Sequence, residues 1–480
     1  MDKKLLDSVY DASTFKNHGD QLVQLLAHHL NNASRGSSKT IDWNLPEDEL
    51  AFWNSFLETG KMDDFFPEIL KRTTHVHNPK YVGHQVAVPA PITALTGLIA
   101  SMLNNGMAVY EMGMSPTAME RIVCDLLGQN IGYSENSRGI LTSGGTLANL
   151  TALLAARKAK VESNVWNNGH TGPLAIMVSE EAHYCVDRAA KIMGLGDAGI
   201  IKVPVTEDFT MDVSQLETRY QQAIANGVQV FAIVGSAPST ATGIYDNLVA
   251  IGQFAGKHNL WFHVDGAHGG AAIFSKKYKH LLQGIEHSDS VVIDGHKMLM
   301  MPTITTALIF KEGQHSHTTF SQKADYLLTD TDEEDWYNGG KRTFECTKSM
   351  MSLHWYILLK MYGEEVFDQN VTQLYDLAEA FAQLIQNDLH FELAIQPMSN
   401  ILCFRYVDEN LNLEELNQLN QTIRQILLED GEYYLVQTKL RGIHYLRTTL
   451  MNPFTTMEHL GQLIHKIKQE AHKLLTNNPS

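Results

Sequence analysis

The chain has 480 residues, 44% hydrophobic and 19% charged, a length that asks for two or three structural units and a composition that excludes disordered and fibrous classes. Against 37 lysines and arginines stand 54 aspartates and glutamates, a formal net charge of −17, which argues against a nucleic-acid or anionic-membrane surface. Cys124, Cys185, Cys346 and Cys403 lie far apart with no CxxC pair, so they read as reduced thiols of a cytoplasmic protein, not as a disulfide framework.

The first residues, MDKKLLDSVYDASTF, lack the apolar core and small-residue cleavage site of a secretory signal. Residues 1–85 read as a helical N-terminal segment: apolar residues recur at helical spacing after Asp20, a GSS break falls at 36–38, and a second helical stretch runs from Glu47 to Leu57. From Tyr81 to Tyr110 there is no Lys, Arg, Asp or Glu, long enough to suggest a membrane span. Pro89 and Pro91 would break that helix, and His84, Gln85, Asn104 and Asn105 are polar. The stretch is therefore expected to be an oligomer core or active-site wall, with His84 and Gln85 as candidate substrate contacts.

Between about 139 and 310, short apolar runs alternate with amphipathic helices, the sequence form of parallel βαβ units. The expected strands are Leu174–Val178, Val228–Val234, Leu260–Val264, Ser290–Ile293 and Thr306–Phe310, spaced as if a crossover helix followed each. Ahead of them TSGGT at 142–146 joins an apolar strand to a helix. Ser143, Gly144, Gly145 and Thr146 can bring backbone N–H groups and hydroxyls to an anion there. Read alone, the same residues make an ordinary helix cap. GLGDAG at 194–199 fits GxGxxG, but it follows a helix and precedes an extended run, the reverse of the order a dinucleotide site needs. The sequence holds no GxSxG elbow either.

The strand from Trp261 ends on Asp265, at the sheet edge where doubly wound folds keep their ligands. A buried carboxylate there wants a cation. His263, Asp265, His268, Asp294 and His296 could be imagined around a metal, yet no HExxH or comparable spacing occurs, and no metal is expected. The strand from Ser290 leads to His296 and Lys297, and Lys297 enters an apolar run that can keep its amine available as a nucleophile. The densest acidic run, 330–335, reads as a solvated loop. Beyond about 365 come a long helical stretch, strands near Phe391–Ile395, Ile401–Val407, Tyr433–Thr438 and Ile443–Leu450, and helices near 413–429 and 456–475, a small α+β domain.

An anion cradle, a strand-end aspartate and a lysine 32 residues later match what pyridoxal 5'-phosphate requires: donors for the phosphate, a carboxylate for the ring nitrogen, an amine for the aldehyde. With SEEAHYCVDR at 179–188, HVDGAH at 263–268 and DGHK at 294–297, the chain resembles the group II pyridoxal-phosphate-dependent amino-acid decarboxylases from about His77 to Pro453. The resemblance implies an α/β large domain of the aspartate-aminotransferase type (fold type I) with a mostly parallel sheet over 86–364. A helical segment over 1–85 and a small α+β domain over 365–480 complete it. It implies Lys297 as the cofactor lysine, Asp265 as the ring-nitrogen partner, Ala267 on one ring face and His183 on the other, where it also serves substrate carboxylate and proton chemistry. Gly145, Thr146 and His296 match phosphate positions, Thr240 a threonine near the phenolic oxygen and substrate carboxylate, and Tyr326 a loop tyrosine that donates a proton. The implied assembly is a homodimer with the active site at its interface, and the implied reaction is α-decarboxylation of an L-amino acid. Two departures stand out. Many members have Asn at the position of Asp294, and aromatic-specific members have Tyr at that of His268, so aromatic, acidic and short diamino substrates stay open. An oxidative deaminase or aldehyde synthase, a carbon–carbon lyase, or a catalytically silent binding protein on the same scaffold are the competing expectations.

Overall fold

The middle of the chain folds into strands where β-branched and aromatic residues cluster between glycines and polar turns. The computed structural model describes residues 3–320 and 336–477, so Tyr326 and the acidic run at 330–335 lie outside the described residues. Two compact units divide the chain: one holds 85–382 with 395–402, the other the chain up to His84, 383–394 and the chain from Cys403 onward.

The first of these carries a seven-stranded sheet of β1 (Arg138–Thr142), β2 (Leu174–Ser179), β3 (Ile200–Val203), β4 (Gln229–Ser236), β5 (Trp261–Asp265), β6 (Ser290–Asp294) and β7 (Thr306–Phe310). Their order is β1-β7-β6-β5-β4-β2-β3. The pairs β3/β2, β2/β4, β4/β5 and β5/β6 are parallel, as the alternation of runs and helices predicts. The strand at Thr306–Phe310 departs from that expectation, because β7 is antiparallel to both β6 and β1. Its reason is length: only residues 295–305 join β6 to β7, too few for a crossover helix.

The helix Gly145–Lys160 covers one face of this sheet, burying Ala148, Leu150, Ala152, Leu153, Ala155 and Ala156 against a core that includes Ile176, Val178, Phe231 and Val234. Its alanines let it lie close to the strands, and a fully buried side chain such as Leu153 contributes about 1.5–3 kcal/mol. Parallel register sets Ser236 beside Asp265 and Asp265 beside Val292, so β4, β5 and β6 end along one sheet edge. That edge is the ligand side of an open α/β sheet.

The uncharged stretch from Tyr81 supplies the 13-residue helix Pro91–Leu103. Among the described residues no helix is long and apolar enough to cross a membrane.

The other unit contains the helices Ala12–Ser34, Pro46–Thr59 and Met62–Lys71. A four-stranded sheet follows the order β10-β11-β9-β8, from β8 (Phe391–Leu393), β9 (Ile401–Tyr406), β10 (Val436–Leu440) and β11 (Ile443–Thr449), all of it in this unit except Ile401 and Leu402. The helix Leu413–Asp430 begins on a capping box in which Asn412 and Glu415 satisfy each other's backbone N–H groups.

Candidate active site

A cavity of about 270 Å3 opens at the sheet edge, lined by Ser143, Gly144, Gly145, Thr146, Asn149, His183, Cys185, Pro238, Thr240, Asp265, Ala267, His268, Asp294, His296, Lys297 and Ile304. Every residue that the sequence assigns to cofactor binding is in that lining. His84 and Gln85 are not. His84 belongs to the other unit, its ring 5.8 Å from that of Tyr434, and Gln85 opens the large unit with its amide nitrogen buried.

One wall is the turn from β1 into the helix Gly145–Lys160. Gly144 holds φ at 100°, a conformation suited to glycine, and accepts the amides of Leu147 and Ala148. The amides of Gly145 and Thr146, in the first turn, have no earlier helical carbonyl to bind and form an anion-receptive terminus. Gly145 must be small: a Cβ there would stand 3.2 and 3.3 Å from the Asp294 carboxylate oxygens and 3.4 Å from the Ala267 methyl.

Asp265 terminates β5, only 9% exposed, and its Oδ1 accepts the Ala267 amide at 3.2 Å. Behind it runs a buried polar relay. His263 pairs its Nδ1 with Ser290 Oγ at 2.8 Å and its Nε2 with Asn149 Oδ1 at 2.7 Å. Asn149 Nδ2 in turn donates to the Gly145 carbonyl at 2.9 Å. With both ring nitrogens engaged, His263 is a brace between the cradle helix and the central strands. Burial pushes its pKa down to about 4, so the ring is neutral.

At the end of the neighbouring strand β6, Lys297 Nζ lies 3.1 Å from Asp294 Oδ2. His296 donates from Nδ1 to the Thr305 carbonyl at 2.8 Å, turning Nε2 toward Asp294 Oδ2 at 3.5 Å. Thr306 donates its hydroxyl to Asp294 Oδ1 at 2.6 Å. The Asp294 carboxylate is thus matched by the Lys297 cation and the Thr306 hydroxyl, as a 2% exposed carboxylate requires.

His183 caps the helix Tyr184–Ile192 by accepting the Cys185 amide on Nδ1. Burial lowers its pKa, opposed by the nearby Asp265 charge. Cys185 is no nucleophile at neutral pH, because burial holds its thiol well above the usual range. His268 is fixed by Asn400, Nε2 to Oδ1 at 2.7 Å.

The sequence pointed to the cradle, Asp265, His183 and Lys297 but not to Asn149, Cys185, Pro238 and Ile304 as lining. Asn149 had a usable signal, one helical turn after Gly145; Pro238 and Ile304 arrive from connections whose paths the sequence does not spell. The carboxylate of Asp265, the amine of Lys297 and the amides of Gly145 and Thr146 share one cavity. Those are the groups that a pyridine nitrogen, an aldehyde and a phosphate require, so the residues present fit pyridoxal phosphate.

Residues 60–407 match the pyridoxal-dependent decarboxylase conserved domain. The chain is 27% identical to the aromatic-L-amino-acid decarboxylase of Bacillus atrophaeus, with 98% of each protein covered. It is 30% identical to the aspartate 1-decarboxylase of Aliivibrio fischeri, over 84% of this chain and 81% of the relative. Among solved structures, mouse CSAD matches with a TM-score of 0.87 over 95% of this chain and 99% of that one, at 21% identity, a likeness of fold.

Proposed function

The chain belongs to the pyridoxal-dependent decarboxylase family, and on that premise we propose how its own residues divide the work of decarboxylating an L-amino acid to an amine and CO2. The observation that carries the proposal is the single cavity shared by Lys297, Asp265, His183 and Thr146. The fold is the fold type I α/β architecture, and the enzyme is a pyridoxal-phosphate-dependent amino-acid decarboxylase.

Pyridoxal phosphate, when bound, supplies a sink for the electron pair left on the substrate Cα as CO2 departs. Lys297 is the amine that would hold the cofactor's aldehyde carbon. The Asp265 carboxylate keeps the ring nitrogen protonated, which is what lets the ring accept charge. Ser143, Gly144, Gly145 and Thr146, with His296, hold the phosphate. Ala267 would pack one ring face and His183 the other, and His183 with Thr240 would orient the substrate carboxylate. Tyr326 delivers the proton that replaces CO2 on Cα. The sequence expectation that His84 and Gln85 contact the substrate gains no support from the cavity, whose lining holds neither. The relatives are named for aromatic, 2,4-diaminobutyrate and aspartate substrates, and we place this chain's substrate among aromatic, acidic and short diamino acids.

The same reading divides the chain functionally into a helical segment over 1–85, a cofactor domain over 86–364 and a C-terminal domain from 365. It makes the protein a homodimer with its active sites at the interface. Supporting that assembly, the helix Pro91–Leu103 leaves Leu95, Leu98, Ile99, Met102 and Leu103 each about half exposed or more, an apolar face that favours a partner surface. Four cysteines, none bonded to another, support a cytoplasmic setting.

The test is a panel of L-amino acids incubated with purified protein, followed by detection of amine and CO2. One member should yield both in equal amounts from the wild type and neither from Lys297→Ala. Turnover surviving in Lys297→Ala would overturn the assignment of that lysine.

A further inference from the structure

The free edge of β1 is not bare. Arg342 donates from Nη2 to the Gly139 carbonyl at 3.0 Å, and Lys348 from Nζ to the Leu141 carbonyl at 2.5 Å. Glu120 accepts the Leu141 amide at 3.0 Å and pairs with Lys348. Between these two anchors, Glu345 reaches the next residue along: its Oε1 accepts the Ser143 N–H at 3.2 Å. Residues 342–348 therefore run beside β1 and, midway, set a carboxylate on the first amide of the anion cradle.

That carboxylate is poorly matched to its position. Asp294, the other acidic group at the cradle, has Lys297 at 3.1 Å and a Thr306 hydroxyl. Among the described residues Glu345 is in no ion pair, and its Oε2 is buried with no hydrogen-bond partner. A buried carboxylate oxygen left unmatched is costly, and an arriving phosphate dianion meets like charge on an amide it would itself bind.

We propose that Glu345 is a resident competitor for the cofactor's phosphate: it holds Ser143 until the phosphate displaces it, so it weakens cofactor affinity and couples cofactor binding to the 342–348 segment. The inference rests on the functional reading above. A neighbouring thiol reports the displacement. Cys124, Cys185 and Cys403 are buried, whereas Cys346 is exposed next to Glu345.

The experiment titrates the full-length, cofactor-stripped chain with pyridoxal phosphate and, separately, with pyridoxal, in wild type, Glu345→Gln and Glu345→Ala. Both variants should bind pyridoxal phosphate about tenfold more tightly, the low end of what a hydrogen bond to a charged group is worth, with pyridoxal affinity unchanged. Thiol labelling of Cys346 should speed up on cofactor binding in the wild type and be independent of cofactor in Glu345→Ala. Wild-type protein that binds pyridoxal phosphate while neither variant binds it more tightly overturns this inference alone. Wild-type protein that takes up no pyridoxal phosphate overturns the functional reading, and this inference with it.

Discussion

Asp265 has one task in this account, to keep a ring nitrogen protonated, and an amide of the same shape cannot do it. Asp265→Asn should therefore fold, bind cofactor and lose several orders of magnitude in turnover; near-normal rates in steady-state assays would make Asp265 a structural residue. His263, two residues earlier on β5, carries a different prediction. Burial holds its pKa at about 4 in the fold, against about 6.5 in an unfolded chain. A depressed histidine favours the fold in its neutral form, so its contribution is fully present above pH 6.5 and is lost as pH falls toward 4, roughly 3 kcal/mol in all. Asp246 acts in the opposite sense, since burial raises its carboxyl to about 6. Its contribution is present below about pH 4 and fades as pH rises to 6. Urea midpoints measured between pH 4 and 7 should therefore fall less steeply with acid in His263→Gln than in the wild type, and more steeply in Asp246→Asn. Parallel curves would mean that neither group titrates differently in the fold.

Along β1, an exposed sheet edge becomes the support of a binding turn because charged side chains take the hydrogen bonds that a further strand would take. The Lys348–Glu120 pair is central to this, with the lysine side chain only 2% exposed. Removing one member of a buried pair strands the other, at about 3–5 kcal/mol. Lys348→Met should lose about that much stability in urea denaturation, and adding Glu120→Leu should restore a large part; an additive further loss would show that the pair is not coupled. None of this edge was legible in the sequence, since Glu120, Leu141 and Lys348 are up to 228 positions apart. The strands were legible, because each is a short apolar run and a buried strand needs little else. Asp265 and Lys297 were legible for the same reason: each stands where such a run meets the ligand edge. The reversal of β7 could have been read from the short connection 295–305 alone. The His263–Asn149 relay could not, because its partners come from different elements whose packing decides who meets whom.

At the scale of the whole molecule, the uncharged stretch from Tyr81 to Tyr110 becomes an exposed apolar helix face where a soluble monomer would carry charge. Leu98→Asp with Ile99→Asp, at side chains 49% and 51% exposed, should convert a dimer into monomers in sedimentation velocity and lower activity with it. An unchanged sedimentation coefficient would place the interface elsewhere. The proposed reaction rests on one covalent link, a bond between Lys297 and the cofactor aldehyde, which reduction would trap. Borohydride reduction of the cofactor-loaded enzyme, followed by proteolysis and mass mapping, should find a phosphopyridoxyl group on the peptide containing Lys297 and on no other lysine. A reduced adduct on a different lysine, or none on a protein that retains its visible absorbance, would contradict it.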